Sequence, residues 1–220
     1  MATEQSVDAP VEREPRRYRG LSVDERREQR RERLLEAGLE LFGTAGYAGS
    51  SIRAVSAAAS LNSRYFYESF KSREDLLYHV YQRAVGELAT AVVEATVAAE
   101  TVEEQAREGL RASWAILIAD RRKARVIALE VVGVSERLER LRRDNRHAFA
   151  DILVRNAMSL AEPDVRLRMD PVLTARLLMG ASIEMLVDWI NGDVSASTDE
   201  IIDHLTTMFA AVARASVIDP

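Results

Sequence analysis

The chain has 220 residues, of which 47% are hydrophobic, so it is long enough to bury a core of ordinary size. It contains no cysteine, which excludes disulfides and thiolate chemistry, and its formal charge of −5 at pH 7 does not by itself indicate a nucleic-acid partner. The charge is unevenly spread: residues 1–73 carry 13 Lys and Arg against 11 Asp and Glu, whereas the remainder carries 17 against 24. The N-terminal third is therefore compatible with DNA binding.

The first 21 residues are expected to form a disordered tail. They are polar, contain Pro10 and Pro15, and lack an apolar stretch of the signal-peptide type. Elsewhere, charges such as Glu94 and Glu184 interrupt the apolar runs, and nothing approaches the ~20 apolar residues of a membrane span. We therefore expect a soluble, cytoplasmic protein without a membrane partner.

The next fifty residues predict three helices. Ser22 begins a capping box and starts an amphipathic helix that continues to about Phe42. Ser51 can cap a short second helix, and Asn62 can cap a third. A short helix, a turn and a second short helix, braced by a preceding helix, form the layout of a helix-turn-helix unit, whose second helix enters the major groove of DNA.

The rest of the chain is also helical in pattern, without a convincing alternating strand. Ser72, three residues before Asp75, predicts a capping box and a long helix to about Ala99 that joins the two parts of the chain rigidly. Further helices are predicted at 102–119, 121–132, 135–161, 171–191 and 198–216. The fold class is thus all-α, with a tail (1–21), a three-helix helix-turn-helix DNA-binding domain (22–73) and a larger helical ligand-binding and dimerisation domain (74–220).

Residues 31–81 closely resemble the N-terminal domain of the TetR family of repressors. The matching elements are Leu-Phe-x-x-x-Gly-Tyr from Leu41, Ser-Ile-Arg-x-Val from Ser51, Tyr-x-x-Phe from Tyr67 and Ser-Arg-Glu-x-Leu-Leu from Ser72. The remaining two-thirds resembles the family only in helix pattern. The resemblance implies a homodimeric transcriptional regulator, most simply a repressor, that binds a palindromic double-stranded operator and is released by a small hydrophobic or aromatic effector. It implies no cofactor, no metal and no enzymatic activity.

Two residues depart from the family pattern. Ser60 stands where the family usually has a glycine in the turn, and a positive φ there would cost on the order of 1 kcal/mol. Arg64 stands where a small residue is common. An arginine at this position of the recognition helix can bond to guanine O6 and N7, which is worth roughly 1–3 kcal/mol of discrimination. Otherwise it contacts a phosphate or stays in solvent.

The resemblance places the DNA contacts on the second and third helices and at the start of the fourth. Ser51 would hold a phosphate at the helix N-terminus that it caps, and Arg53 would reach the groove edge or lie on a solvated face. Lys71 and Arg73 would act as cationic clamps. The basic run 26–33, interleaved with acidic residues, is interpreted as a solvated face that can touch flanking phosphates. The predicted DNA-binding residues are Ser51, Arg53, Asn62, Ser63, Arg64, Tyr65, Tyr67, Lys71 and Arg73.

Such a small unit covers few base pairs, so two copies on a pseudo-palindrome are needed, with half-sites about 34–36 Å or a multiple apart. Two apolar stripes at helical period predict a four-helix dimer interface, as the resemblance implies, although part of each stripe packs on its own core. The predicted interface residues are Leu173, Leu177, Gly180, Ala181, Met185, Trp189, Ile202, Leu205, Phe209 and Val212.

The middle helices are expected to enclose the effector pocket, and ligand binding would tilt the fourth helix and change the separation of the two recognition helices. Glu130 lies in an apolar run, where it either pairs with Arg122 or Arg125 or anchors a polar group of the ligand. The predicted liners, some of them plain core, are Trp114, Ile118, Leu129, Glu130, Phe149, Leu153, Met158, Met179 and Ile183.

Two other classes of function fit the sequence less well: an enzyme, and a helical interaction or lipid-carrier protein. An enzyme is disfavoured because His79, His147 and His204 lie far apart and the sequence has no Gly-rich phosphate loop and no serine elbow. A helical interaction or lipid-carrier protein would not need exposed polar residues around one short helix. Sequence-specific DNA binding with a steep salt dependence separates this second class from a regulator.

Overall fold

The computed structural model describes residues 22–161 and 165–217, so the predicted disordered tail at 1–21 lies outside the described residues. Within these ranges the chain forms ten α-helices and one π-helical turn, and its only β element is an isolated bridge between Leu167 and Val217. The helices are α1 (Val23–Thr44), α2 (Gly46–Gly49), α3 (Ile52–Ala58), α4 (Ser63–Ser69), α5 (Arg73–Thr96), α6 (Val102–Ala119), α7 (Arg121–Arg125), α8 (Glu136–Ser159), α9 (Pro171–Asn191) and α10 (Thr198–Ser216), and the π turn (Val126–Glu130) follows α7. The predicted all-α class is confirmed. None of the described helices combines the length and apolar character that crossing a membrane requires.

Local capping chemistry sets most helix ends. At the start of α1, Ser22 Oγ accepts a hydrogen bond from Glu25 N at 3.1 Å and the Glu25 carboxylate accepts one from Ser22 N, which completes the predicted capping box. The capping box predicted at Ser72 is only half formed. Ser72 Oγ accepts from Asp75 N at 3.0 Å, but the Asp75 carboxylate accepts from Lys71 N at 3.0 Å instead of from Ser72 N.

The helix predicted at 121–132 changes character midway, because it becomes a π-helical turn after Arg125. Residues five apart in an α-helix point about 140° apart, whereas the i→i+5 bond of a π turn brings them nearly into line. Val126 and Val131 are both fully buried in the same core, an arrangement that the π turn permits. Residues 46–49, which lie between the first two predicted helices, form the short helix α2.

Two apolar cores organise the molecule. The N-terminal core is built by α1, α3, α4 and the first half of α5, and it also includes Val126, Val131 and Leu138 from the second half of the chain. The C-terminal core lies between α5, α6, α7, α9 and α10, with Trp114 and Leu205 among its buried members. Helix α5 contributes to both cores, through Leu76 and Leu77 to the first and Leu88 to the second.

The turn between α3 and α4 holds Ser60 at a φ of 51°, and Ser60 is the one non-glycine residue with positive φ in the described ranges. The sequence comparison with the family, which usually has glycine here, anticipated this strain. The Arg33 guanidinium donates hydrogen bonds to the carbonyls of Ala59 and Ser60, which fixes the turn from the side of α1.

Replacing Ser60 by glycine is expected to raise the free energy of unfolding by about 0.5–1 kcal/mol. Relief of the left-handed conformation, about 1–2 kcal/mol, outweighs the backbone entropy that glycine loses, about 0.5–1 kcal/mol. Ala58→Gly, exposed in the last turn of α3, is the matched control and is expected to lose up to about 1 kcal/mol. Urea unfolding measures both variants, and a Ser60→Gly protein that is less stable than the original chain would contradict the assignment of strain.

Candidate DNA-binding surface and effector cavity

Helices α3 and α4 and the turn between them form the helix-turn-helix unit. Ser51 caps α3 by accepting from Ala54 N at 3.1 Å, and Asn62 caps α4 by accepting from Arg64 N at 2.9 Å. Phe66 on α4 and Val55 on α3 are fully buried and pin both helices to α1 and α5. The opposite face of α4 is therefore turned to solvent.

Arginines of α1 fasten the C-terminal ends of α3 and α4. Arg27 and Arg31 donate to the carbonyls of Glu68 and Ser69 at 3.0 and 3.3 Å, and Arg33 serves the end of α3 as described above. The last carbonyls of a helix have no partner within the helix and attract cations. Arg27 and Arg33 stay exposed, as the interpretation of the run 26–33 as a solvated face expects, but all three arginines also bond to carbonyls that lie 26 to 41 residues away in the sequence.

Most of the predicted DNA-binding residues reach the surface. Arg64 is 86% exposed and its one ion pair, with Glu68, spans 3.6 Å. Tyr67 is 63% exposed, and Tyr65 is partly covered by the Arg30 guanidinium 4.6 Å above its ring. The residues that are exposed, or half-exposed in the case of Ser63, are Ser51, Arg53, Asn62, Ser63, Arg64, Tyr65, Tyr67 and Lys71.

Arg73 is half-buried at the start of α5. Its guanidinium donates to the Ser50 carbonyl and lies 4.0 Å from the centre of the Tyr47 ring. Neither partner is an acid, so Arg73 keeps its positive charge at the corner between α2 and α3, and its role as a cationic clamp stays a prediction. Tyr47, which sequence reasoning left without a role, is thus the residue that holds Arg73.

A cavity of about 500 Å³ lies in the C-terminal half, between α5, α6, α8, α9, α10 and the π turn. This volume falls in the range of ~300–1,000 Å³ that is usual for small-molecule sites. Most of the lining is apolar, and α5 contributes Tyr81, Val85 and Val92. The predicted liners that face the cavity are Trp114, Phe149, Leu153, Met158, Met179 and Ile183.

Three predicted liners lie outside the cavity. Ile118 is 43% exposed on the outer face of α6, because Trp114 and Leu117 take the inward positions. Leu129 packs against the C-terminal core without lining the cavity. Glu130 points towards the N-terminal domain, so its assignment as a ligand anchor was wrong.

Glu130 links the π turn to the helix-turn-helix domain. Its carboxylate accepts from Arg125 Nε at 2.8 Å and from Tyr47 N at 2.6 Å, and its side chain is only 11% exposed. Of the two interpretations left open for this residue, the structure thus shows the arginine pair. Arg122 binds elsewhere, to Asp120 and, across the domain boundary, to Glu40 at 2.7 Å.

Further contacts hold residues 120–137 against the N-terminal domain. Gly43 in α1 approaches Arg122 so closely that a Cβ at position 43 would overlap it. Arg137 Nη1 donates to Asp75 Oδ1 at 3.0 Å. Burial alone would raise the pKa of Asp75, but the hydrogen bonds from Lys71 N and Arg137 and the nearby positive charges hold it below its ordinary value. Asp75 therefore stays ionised and ties the start of α8 to the start of α5.

The dimer stripes predicted on α9 and α10 differ in their exposure to solvent. On α9, Leu173 and Leu177 are 60% and 68% exposed, and a Cβ at Gly180 would meet nothing within 4 Å. Ala181 is exposed beside them, whereas Met185 and Trp189 are half-buried on the C-terminal core.

On α10 the predicted stripe is the inward face. Ile202, Leu205 and Phe209 are each 6% exposed and pack within the chain's own core or cavity wall, so their assignment to a dimer interface was wrong. Val212 is half-buried. The helical period identifies an apolar stripe but not the surface against which the stripe packs. On α10 the stripe packs against the chain's own core.

A helix-turn-helix unit joined by one long helix to a larger helical domain with an apolar cavity defines the class of two-domain transcriptional regulators. Residues 34–80 match the model of the bacterial regulatory proteins of the tetR family. This match covers about a fifth of the chain and shows that its N-terminal segment is similar to that of the family's proteins.

Solved structures share the fold along most of the chain. The fatty acid degradation regulator FadR from Bacillus halodurans is 17% identical, with a TM-score of 0.72 over 82% of this chain and 94% of that one. FadR from Bacillus subtilis, solved in complex with stearoyl-CoA, is 18% identical, with a TM-score of 0.71 over 82% and 97%. A TetR-family protein from Syntrophomonas wolfei is 18% identical, with a TM-score of 0.72 over 85% and 96%. Among curated protein sequences, none matches significantly.

Proposed function

We propose that this regulator is a repressor that binds a palindromic operator as a homodimer and leaves it when a hydrophobic effector enters the cavity. One observation carries the proposal: α5 is continuous from the N-terminal core to the cavity wall. Leu76 and Leu77 pack under the helix-turn-helix unit, whereas Val85 and Val92 line the cavity on the same helix.

The DNA-binding half of the proposal rests on the exposed face of α4. Arg64, Tyr65 and Tyr67 project from a helix whose opposite side is locked by Phe66, so they are free to contact base edges and phosphates. Arg53 and Lys71 extend the exposed polar surface on either side. Two such surfaces are needed for a palindrome, and the exposed apolar face of α9 around Leu177 is the surface we assign to the second copy.

The effector half rests on the cavity and its connections. The apolar lining suits a ligand with a large hydrophobic part, and the related fold of Bacillus subtilis FadR was solved with stearoyl-CoA. Ile127 and Ala128 of the π turn line the cavity, while Glu130 two residues on bonds to Tyr47 of the DNA-binding domain. A ligand that displaces this turn or α5 changes the orientation of α4. By linkage, DNA weakens ligand binding by the same factor.

The test starts with selection of DNA fragments by the full-length protein, followed by fluorescence anisotropy over a salt series. We expect one selected sequence with two-fold symmetry, two chains per duplex, and a log–log salt slope set by the number of phosphates contacted. Medium-chain acyl compounds added to the complex should then lower the affinity by roughly 5- to 150-fold. Binding without sequence preference would instead support a helical carrier, and unchanged affinity at saturating ligand would contradict the effector half.

A further inference from the structure

The cavity of the proposed effector site has one cationic end. Arg142 and Arg146 lie four residues apart on α8, as do Asn145 and Phe149, and all four line the cavity. Beyond Phe149 the same face is largely apolar as far as Met158. From Arg146 to Met158 the helix rises about 18 Å. The wall therefore changes from positively charged to apolar along one line.

The polar groups at this end are not fully used within the chain. Arg142 is paired with Glu139 at 2.9 Å, and Glu139 also accepts from Gly133 N at 2.8 Å. Arg146, half-buried beside them, has no carboxylate within ion-pair distance in the part of the chain that the structure describes. The buried Asn145 Nδ2 forms no hydrogen bond of normal geometry among those residues, although its side chain lies close enough to the Tyr81 hydroxyl to lower the pKa of that group. A buried donor without a partner is rare in native proteins and is commonly explained by a missing ligand or water.

Tyr81 completes this end from the side of α5. It is 3% exposed and lines the cavity opposite Asn145 and Arg146. Burial raises the pKa of its hydroxyl, against the opposing influence of Asn145 and of the charges on Arg142 and Arg146. The hydroxyl is therefore protonated at neutral pH and can donate. A phenol, an amide and a guanidinium are all hydrogen-bond donors, which is the chemistry that an anion needs.

We infer that Tyr81, Asn145 and Arg146 bind the anionic group of an elongated ligand whose apolar body lies along α8 from Phe149 to Met158. The inference rests on the proposed effector function and specifies the chemical class of the effector. Elsewhere in the cavity Asn156 already donates to Thr96 Oγ1 at 3.1 Å, and among the described lining residues only Arg142 and Arg146 carry a positive charge. A carboxylate and the phosphates of a coenzyme A ester share the required negative charge.

Titration of the full chain with three twelve-carbon probes tests this assignment: dodecanoate, lauroyl-CoA and the neutral dodecanol. Quenching of Trp114 in the cavity wall, checked by calorimetry, reports binding. We expect at least one anionic probe to bind about 10- to 100-fold more tightly than dodecanol, which corresponds to about 1.4 kcal/mol for each factor of ten. Preference for dodecanoate assigns a carboxylate, and preference for lauroyl-CoA assigns the ester's phosphates.

Variants separate recognition of charge from a structural role. Arg146→Gln is expected to remove the preference for the anion while leaving the affinity for dodecanol unchanged, and Arg146→Lys to retain part of the preference. Arg143→Gln, at an exposed neighbour on α8, is the control and should change nothing. Four results would each overturn the inference. They are equal affinity for anionic and neutral probes, a parallel loss of affinity for both kinds of probe in Arg146→Gln, an equal effect of Arg143→Gln, and no binding of either anion. Operator binding, measured on the same preparations, tests the proposed function separately. The ratio of the affinities for anionic and neutral probes can be measured whether or not the protein binds DNA.

Discussion

Replacing Arg64 by alanine is expected to weaken operator binding by roughly 5- to 150-fold at each half-site, the equivalent of 1–3 kcal/mol, without changing the stability of the protein. The side chain is 86% exposed, and its ion pair with Glu68 is too long and too solvated to stabilise the fold measurably. Its guanidinium is therefore available for DNA. If it reads a guanine, the loss is confined to operators that carry that base, whereas loss of a phosphate contact weakens all duplexes alike and reduces the salt slope.

Arg140→Ala provides the matched control. Arg140 is 59% exposed and forms the same i,i+4 pair with a glutamate, Glu136, at 3.3 Å, but it lies on α8. Anisotropy titrations with the selected operator and with point-mutated operators measure both variants. An Arg64→Ala protein that binds every duplex as tightly as the Arg140→Ala protein would show that Arg64 does not contact DNA.

Replacing Glu130 by alanine is expected to uncouple the cavity from the DNA-binding domain. The substitution removes the carboxylate that accepts from both Tyr47 N and Arg125 Nε. The bond to Tyr47 N connects the π turn to α2, whereas the bond to Arg125 lies within residues 125–130. Because Glu130 does not line the cavity, the variant should bind effector as the original chain does, but the effect of that ligand on operator affinity should fall below the ~5-fold lower limit of ordinary allosteric coupling. The free energy of unfolding should fall by about 1–3 kcal/mol, since the Tyr47 amide is left without a partner.

Two further variants make this result interpretable. Glu130→Gln keeps one acceptor oxygen, which can serve Tyr47 N, but it removes the charge and the acceptor of Arg125 Nε, so it should fold well and retain part of the response. Glu136→Ala removes a carboxylate that is 93% exposed and should leave stability and response intact. Operator affinity is measured for each protein with and without saturating ligand. Full release of the Glu130→Ala protein by ligand would rule out this residue as the connection.

Local chemistry explains what could be predicted from the sequence. Ser51 and Asn62 predict helix starts because the side chain of a capping residue accepts a hydrogen bond from an amide two or three residues later, and both of these hydrogen bonds are present. The bounds of α9 followed from Asp170-Pro171 at its start and Gly192, which adopts a φ of 78°, at its end. Six predicted liners face the cavity because most large apolar residues at helical period in the middle helices point inwards, although Ile118 does not.

The errors concern contacts between residues distant in the sequence. The contacts of Arg73 with Tyr47 and the Ser50 carbonyl were not predicted because these partners lie more than twenty residues earlier. Glu130 pairs with an arginine five residues away, and the sequence suggested such a pair. Its bond to Tyr47 N joins residues 83 positions apart, and no sequence pattern predicts a contact of that kind. On α10 the apolar stripe was identified correctly as a stripe, and only the packing around Leu205 shows which surface it meets.

The burial of Val126, Val131 and Leu138 among the side chains of α1, α3, α4 and the first half of α5 limits how this protein can be re-engineered. A chimera that grafts residues 22–73 onto a foreign sensor would leave an apolar gap under the transplanted module. It would also lack the Arg122 and Glu130 contacts that seat it. A workable swap has to carry residues 120–138 along with the N-terminal segment, so the unit of modular exchange is discontinuous in sequence.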